Sequence, residues 1–238
     1  MHRKQINKEV LEELRKLNTP TVSNAIEVFD MRPRNSGFMD SSVKCITPEL
    51  GVMVGYAVTA KIRAKDPALK DNNDITYDYW KNIEKVPEPR VLVIEDLDQP
   101  KAIGAFWGEV QAHIHKALGC VGTVTDGGVR DVDEVKELGF HLFASSLIVS
   151  HAYVHIVEFG KPVKVGGIEV KQGDLIHGDK HGVLLVPIEI ADKIPKAAQY
   201  IGEKERKIFE FTKSKQFNLD ILKELMKELR EAYKKREF

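Results

Sequence analysis

The chain has 238 residues, enough for one large domain or two small ones with a real core. Hydrophobic residues make up 42 % and charged residues 30 %, the composition of an ordinary soluble globular protein. Lys+Arg and Asp+Glu balance at 36 each, so no global field exists to attract nucleic acid or an anionic membrane surface.

The first residues, "MHRKQINKEV", lack the apolar stretch of a secretory signal. No apolar run approaches the ~18 residues of a membrane span. Cys45 and Cys120 have no CxxC spacing and sit among apolar neighbours, which suits buried thiols in a reducing compartment. A cytoplasmic protein with neither a membrane nor a nucleic-acid partner is expected.

In chain order, Val10, Leu11, Leu14 and Leu17 fall on one helical face. "NTPT" restarts the chain, with Thr19 able to cap and Pro20 able to open a second helix through Phe29. These N-terminal helices occupy residues 1–30. Polar, Pro- and Gly-containing sequence follows up to Gly51. "GVMVGYAVTAKIRA" predicts a strand with a bend or bulge at Gly55. Lys65–Pro89 is a polar excursion with one short helix, and it either shapes a pocket or decorates the surface.

"RVLVIEDLD", "VGTVTD" and "FHLFASS" read as buried strands separated by "KAIGAFWGEVQAHIHKALGC", a loop that becomes a helix, and by helical "DVDEVKELG". The first of these helices would bury Phe106, Val110, Ile114, Ala117 and Leu118. This alternation of strand and helix is the mark of βαβ units around a parallel sheet. Shorter β segments follow, punctuated by turns at Gly166-Gly167 and Gly173-Asp174. Residues 188–238 are helical, and Leu222, Leu225, Met226, Leu229 and Tyr233 form a stripe on the last helix. One α/β domain over 1–238, with helical extensions at both ends, is the simplest account.

Ligands of open α/β sheets bind beyond the carboxyl ends of the strands. Two neighbouring crossovers would face one crevice there. One brings Gly104, Ala105, Phe106, Trp107, Gly108 and Glu109; the other brings Asp126, Arg130 and Asp131. The glycines let backbone approach a ligand, and helix-start N–H groups near Ala105 to Glu109 suit an anion. Arg130 offers a planar fork for a carboxylate or a polarised carbonyl. Asp131 is a hard oxygen ligand suited to Mg²⁺ or Mn²⁺. Glu109 can ligate through water or act as a base. Together these groups suit a small 2-oxo acid. The same residues also have a plainer use, since Asp131 or Asp133 can simply cap the helix "VDEVKEL".

"GAFWGEV" followed by "GTVTDGGVRD" resembles the RraA-like family, which includes class II pyruvate aldolases acting on 4-hydroxy-4-methyl-2-oxoglutarate and 4-carboxy-4-hydroxy-2-oxoadipate. The aldolase-like members carry an acid, twenty intervening residues, then Arg-Asp; here Glu109 precedes Arg130-Asp131 by that spacing. The best-known aldolases have Asp where this chain has Glu109. Comparable segments run from Leu11 to about Phe211. The resemblance implies a swivelling β/β/α fold and a homotrimer or dimer of trimers, with sites near subunit contacts. It further implies that Asp131 holds Mg²⁺ or Mn²⁺ largely through water and that Arg130 contacts the pyruvyl part. By the same resemblance, amides of "GAFWGE" hold the carboxylate and Glu109 handles the proton. Oxaloacetate decarboxylation through the same enolate is also implied.

His151 and His155 are four apart in a segment that reads as extended, which favours structural or surface histidines. Glu109 and His113 share a helix face, so His113 can support Glu109. "GDKHG" reads as a hairpin turn. Trp107 either walls the pocket or packs. Two rival functions exist. Some family members regulate ribonuclease E by direct contact, and a protein-binding regulator needs no acid at 109. An older methyltransferase label calls for a Rossmann G-x-G-x-x-G that the chain lacks.

Overall fold

A computed structural model of the chain describes residues 5–69, 73–235 and 238. Its helices are α1 (Lys8–Arg15), α2 (Thr19–Val28), α3 (Asn73–Glu84), α4 (Glu109–Ala117), α5 (Val132–Glu137), α6 (Ile194–Thr212) and α7 (Leu219–Ala232). Its strands are β1 (Lys44–Cys45), β2 (Met53–Arg63), β3 (Arg90–Asp96), β4 (Ala105–Trp107), β5 (Cys120–Thr125), β6 (Gly128–Val129) and β7 (His141–Ala144). Then come β8 (Ser146–Leu147), β9 (His155–Phe159), β10 (Val163–Val165), β11 (Ile168–Val170), β12 (Leu175–Asp179) and β13 (Gly182–Val186). The chain divides into two compact units, one built on Gly37–Val186 and one on Ile6–Ser36 with Pro187–Phe238.

In the first unit the main sheet runs β1-β7-β5-β3-β2-β12-β13. Strands β7, β5, β3 and β2 are parallel. The edges are antiparallel: β1 on β7, and the β12–β13 hairpin on β2. The eleven-residue β2 outlasts β12, so β9 pairs antiparallel with its far half, at Ala60–Arg63. Both faces of the central strands are covered. Val91 and Val93 join Ala57, Val124, Phe143 and Ile176 in one cluster. The alternating Leu92 and Ile94 are just as buried and point the other way. Burial on both faces is why these strands read as continuous apolar runs rather than as alternation.

Gly55 makes neither a bend nor a bulge. It pairs in regular register with Ile176, and the ladder irregularity of β2 lies at Lys61/Ile62. Glycine is required at 55 because a Cβ there would lie 2.6 Å from the Pro89 carbonyl oxygen. The turns at Gly166-Gly167 and around Lys180-His181 form as the sequence indicates, joining β10 to β11 and β12 to β13.

The feature that builds the site is a second, three-stranded sheet, β4-β6-β8. After β3, β5 and β7 each crossover contributes a short strand to it. All three strands run parallel, with Ala105 beside Gly128 and Gly128 beside Ser146. The stretch Ala105–Trp107 is therefore extended, and α4 begins only at Glu109 with Gly108 as its N-cap. The expected helix start near Ala105 is corrected accordingly. The buried face of α4 is also different from the expected one. It carries Ala112 and His115, whereas Val110 is 70 % exposed.

In the second unit, Asn18 rather than Thr19 caps α2, its side chain accepting from Thr21 N–H at 2.8 Å. Thr19 and Pro20 become the first two helical residues. Of the last-helix stripe, Leu229 and Tyr233 pack within the same chain, whereas Met226 is exposed. Leu229, Tyr233 and Phe238 pack against a small core of Val28, Ile201 and Ala232. Among the described residues no helix is long and apolar enough to cross a membrane.

Candidate active site

Arg130 and Asp131 leave β6 at the point where its pairing with β4 ends. Arg130 N–H donates to the Trp107 carbonyl at 2.9 Å, which fixes the backbone where the arginine departs. Asp131 then takes a left-handed conformation, φ 53° and ψ 45°. Aspartate tolerates this region better than most residues, but it remains uncommon without glycine. The consequence is geometric. Asp131 occupies the N-cap position of α5, yet its side chain makes no cap hydrogen bond to that helix. Its Oδ2 instead accepts from Glu109 N–H at 3.0 Å, at the start of α4, and lies 3.5 Å from Arg130 Nε. The carboxylate is thus turned out of the capping role and held between two crossovers. Asp133 pairs with Lys136 at 3.0 Å in the first turn of α5.

Gly108 is what makes this approach possible. A Cβ at 108 would lie 2.5 Å from Asp131 Oδ2 and 3.1 Å from Arg130 Nε. Its backbone, φ −154° and ψ −171°, is open to any residue, so space rather than conformation demands glycine.

These groups line a cleft of about 210 Å³. Ala105, Phe106 and Gly108 form one wall; Glu109, Val110 and Gln111 come from α4; Arg130 and Asp131 close one end, and His151 and Val154 contribute another side. The structure therefore brings Glu109, Arg130, Asp131, Ala105, Phe106 and Gly108 together. It does not bring Gly104 or Trp107 into the wall. Gly104 lies beneath the 150–152 turn, where a Cβ would meet the His151 carbonyl oxygen at 2.5 Å. Trp107 is 1 % exposed and packs on His115 and Phe140, with ring centroids at 4.8 and 5.7 Å.

Asp126 also has a different place from the one its sequence position implies. Its Oδ1 accepts from Asp96 N–H at 2.8 Å and its Oδ2 from Lys101 Nζ at 2.6 Å. Burial pushes its carboxyl above the ordinary range, and these hydrogen bonds only partly oppose that. It ties the crossover after β3 to the end of β5. His113 Nε2 lies 4.0 Å from Glu109 Oε1, both side chains being more than half exposed, so this pairing is a weak restraint.

Two supporting features escape a reading by sequence pattern. The first is His115, fully buried behind the β4 wall. Its Nδ1 donates to the Gln111 carbonyl at 2.7 Å, and its Nε2 accepts from the Tyr79 hydroxyl at 3.1 Å. Burial holds its pKa down to about 4, so the ring stays neutral. The excursion at Lys65–Pro89 thereby gains one definite role, because its helix α3 backs α4 through Tyr79. (Residues 70–72 of that stretch lie outside the described residues.) The second is His151, exposed as the sequence reading of a surface or structural histidine expects, and also lining the cleft. Cys45 and Cys120 are free thiols, raised by burial to about 11 and about 12, which keeps them unreactive.

A carboxylate and a guanidinium, each about one-third exposed, thus share a cleft beyond the ends of parallel strands. The chain belongs to the RraA-like family, described as Aldolase/RraA, whose model matches residues 19–185. An uncharacterised protein of Methanocaldococcus jannaschii is 30 % identical over 174 residues, 71 % of this chain and 77 % of that one. A Halalkalibacterium halodurans protein, provisionally named as a 4-hydroxy-4-methyl-2-oxoglutarate aldolase, is 34 % identical over 84 residues. That match spans 35 % of this chain and 40 % of the relative. The crystal structure of Streptomyces coelicolor RraAS2, described as an unusual member of the RNase ES inhibitor RraA family, superposes with a TM-score of 0.67. It is 21 % identical and the match covers 88 % of this chain and all of that one, so the two share the fold.

Proposed function

We propose that the protein is a divalent-metal-dependent lyase that cleaves or forms a C–C bond of a 4-hydroxy-2-oxo acid through pyruvate enolate. Oxaloacetate decarboxylation would proceed through the same enolate. The observation that carries the reading is the Asp131 carboxylate, turned away from its own helix and held beside Arg130 in the cleft. A capping residue would do the opposite. Family membership and the partial match to a named aldolase support the same reading.

The donor set bears on the choice of metal. Among the described residues no group of three or more His, Cys, Asp or Glu side chains could cage an ion. These side chains alone therefore do not form an all-protein Ca²⁺ or Zn²⁺ type of cage at Asp131. It suits Mg²⁺ or Mn²⁺, which keep several waters and are held by one or two carboxylates plus substrate oxygens. Asp131 would hold the ion, and the ion supplies Lewis acidity that lowers the cost of enolate charge.

The chain's own residues account for the rest. In cleavage a base takes the C4-hydroxyl proton, the C3–C4 bond breaks, and its electron pair becomes the enolate of pyruvate. The C4 fragment leaves as a carbonyl compound. Arg130 donates to the developing enolate oxygen, an interaction stronger in the transition state than in the bound substrate. Glu109, or a water it orients, handles the proton, and protonation at C3 then releases pyruvate. Phe106, Val110 and Val154 supply the apolar part of the cleft lining beside the enolate.

A homotrimer or a dimer of trimers forms part of this proposal. Val110, Leu147, Val149 and Tyr153 leave 59–95 % of their surfaces exposed on elements around the cleft, apolar area that a second copy would cover. The test is purified protein with Mg²⁺ or Mn²⁺ against oxaloacetate and a panel of 4-hydroxy-2-oxo acids. Turnover lost in Arg130→Ala and Asp131→Ala, with melting unchanged, is expected. Failure of the wild-type protein to turn over any of these compounds would sink the reading.

A further inference from the structure

The cleft has a second polar wall that the proposed lyase chemistry does not use. His151 lines it, at the opposite end of β4 from Arg130 and Asp131. Its Nδ1 lies 2.7 Å from the Ala152 carbonyl oxygen, which can only accept, so Nδ1 carries a hydrogen. Nε2 is then the ring atom available to a ligand.

The turn that holds this imidazole is fixed from several sides. The Ser150 carbonyl accepts from Ala105 N–H at 2.9 Å, and Ser150 Oγ accepts from Ala152 N–H at 3.0 Å. The His151 carbonyl accepts from Val154 N–H at 3.1 Å. Ala152 sits at φ 48°, a conformation alanine adopts only where its surroundings impose it. The strand below permits this only because residue 104 is glycine: a Cβ there would lie 2.9 Å from Ala152 Cβ.

Position sets the role. The turn clasps β4 at Gly104, whereas Asp131 and Arg130 meet it at Gly108. Four residues of extended chain separate the two ends, about 13 Å. A pyruvyl group held by Arg130 and Asp131 fills one end, and a longer substrate extends toward His151. The titratable groups sharing the cleft with the imidazole are Glu109 from α4 and Arg130 and Asp131 beyond β6. On its own turn, His155 is occupied through Nδ1 by the Tyr153 carbonyl at 2.8 Å.

We propose that His151 reads the part of the substrate beyond the pyruvyl carbons, its protonated Nε2–H donating to an anionic group there. This rests on the lyase reading, because it takes the Arg130–Asp131 end as the seat of the 2-oxo acid group. The residue is specificity-determining, and its effect falls on binding of the distal group rather than on enolate formation.

Two unreactive probes separate these statements in calorimetric titrations with Mg²⁺ present. Oxalate spans only the 2-oxo acid end, whereas 2-oxoglutarate adds a distal carboxylate. His151→Asn is the variant, because an asparagine amide can still donate to the Ala152 carbonyl. The wild-type protein is expected to bind both probes. His151→Asn should keep oxalate binding and bind 2-oxoglutarate about tenfold more weakly at pH 6. Equal weakening of both probes, or no change in either, overturns the proposal while leaving the lyase reading intact. Absence of oxalate binding to the wild-type protein overturns both.

Discussion

Gly108→Ala isolates the geometry on which the proposed chemistry depends. The added methyl would stand 2.5 Å from Asp131 Oδ2, where ordinary contact begins at 3.4 Å, so the carboxylate must retreat by the difference, 0.9 Å. Arg130 Nε and Cγ, at 3.1 and 3.2 Å, must give by a few tenths of an ångström as well. Displacement of a catalytic group by roughly 1 Å costs on the order of 10²-fold in rate. The backbone at 108 is extended and accepts alanine, so no conformational strain accompanies the change. Losing the bond from Glu109 N–H costs about 1 kcal/mol, and the stiffer unfolded chain returns about 0.4–1 kcal/mol. Rate and stability are therefore separated. Exchange of the pyruvate methyl hydrogens in heavy water with Mg²⁺, followed by proton NMR, reports enolate formation without knowledge of the rest of the substrate. Exchange about 10²-fold slower, with melting within a few degrees of the wild-type protein, is expected. Wild-type exchange in a correctly folded variant would refute the argument that Asp131 must occupy this position.

Three further outcomes follow from groups outside the cleft. The folded His115 pKa, about 4, lies below the ordinary 6.5, so only the unfolded chain takes up a proton between those values. Stability should fall as pH drops from 6.5 toward 4, by up to roughly 3 kcal/mol, with no contribution above 6.5. Urea unfolding across that range should show a shallower acid loss in His115→Gln, and parallel curves would contradict this. Lys101→Met leaves the Asp126 carboxylate buried beside Asp96 without its cation. It should cost about 2–3 kcal/mol by denaturant titration, less than a fully buried pair because Lys101 is partly exposed. Asn18→Ala removes the α2 cap and should cost about 1 kcal/mol by the same measurement.

The parallel strands are legible in the sequence because burial on both faces writes a continuous apolar run into β3, β5 and β7. The pairing of Glu109 with Arg130-Asp131 is legible because both follow the ends of neighbouring strands, and because their spacing matches the pattern of the family the chain resembles. The β4 segment reads as a helix start because three residues are too few to carry a period. What makes it a strand is pairing with β6, contributed by a later crossover. The buried face of α4 escapes pattern reading because a histidine occupies its centre. A polar residue enters a core when a distant partner satisfies it, and Tyr79 is not identifiable as that partner from local pattern. His151 reads as a surface residue for the same kind of reason: its turn returns to Gly104 and Ala105, contacts to which its neighbouring residues give no clue.

Sequence also leaves Asp131 suspended between helix cap and ligand, and backbone conformation separates the two. A capping aspartate sits in the β region and accepts from the N–H groups of its own helix. Asp131 is left-handed and accepts from the neighbouring crossover instead. Relinquishing the cap costs about 1 kcal/mol, and the left-handed backbone adds roughly another 1–2 kcal/mol. Of the described non-glycine residues with positive φ, Asp131 and Ala152 flank the cleft and Ala102 lies in the crossover that delivers β4; Asp30 is in the other unit. Relaxed strands thus carry strained loops, and the strain falls on the segments that present Arg130, Asp131 and His151. The helix cap forgone by Asp131 is therefore evidence about the site. A residue that merely ended a loop would have taken the cheaper conformation and capped α5.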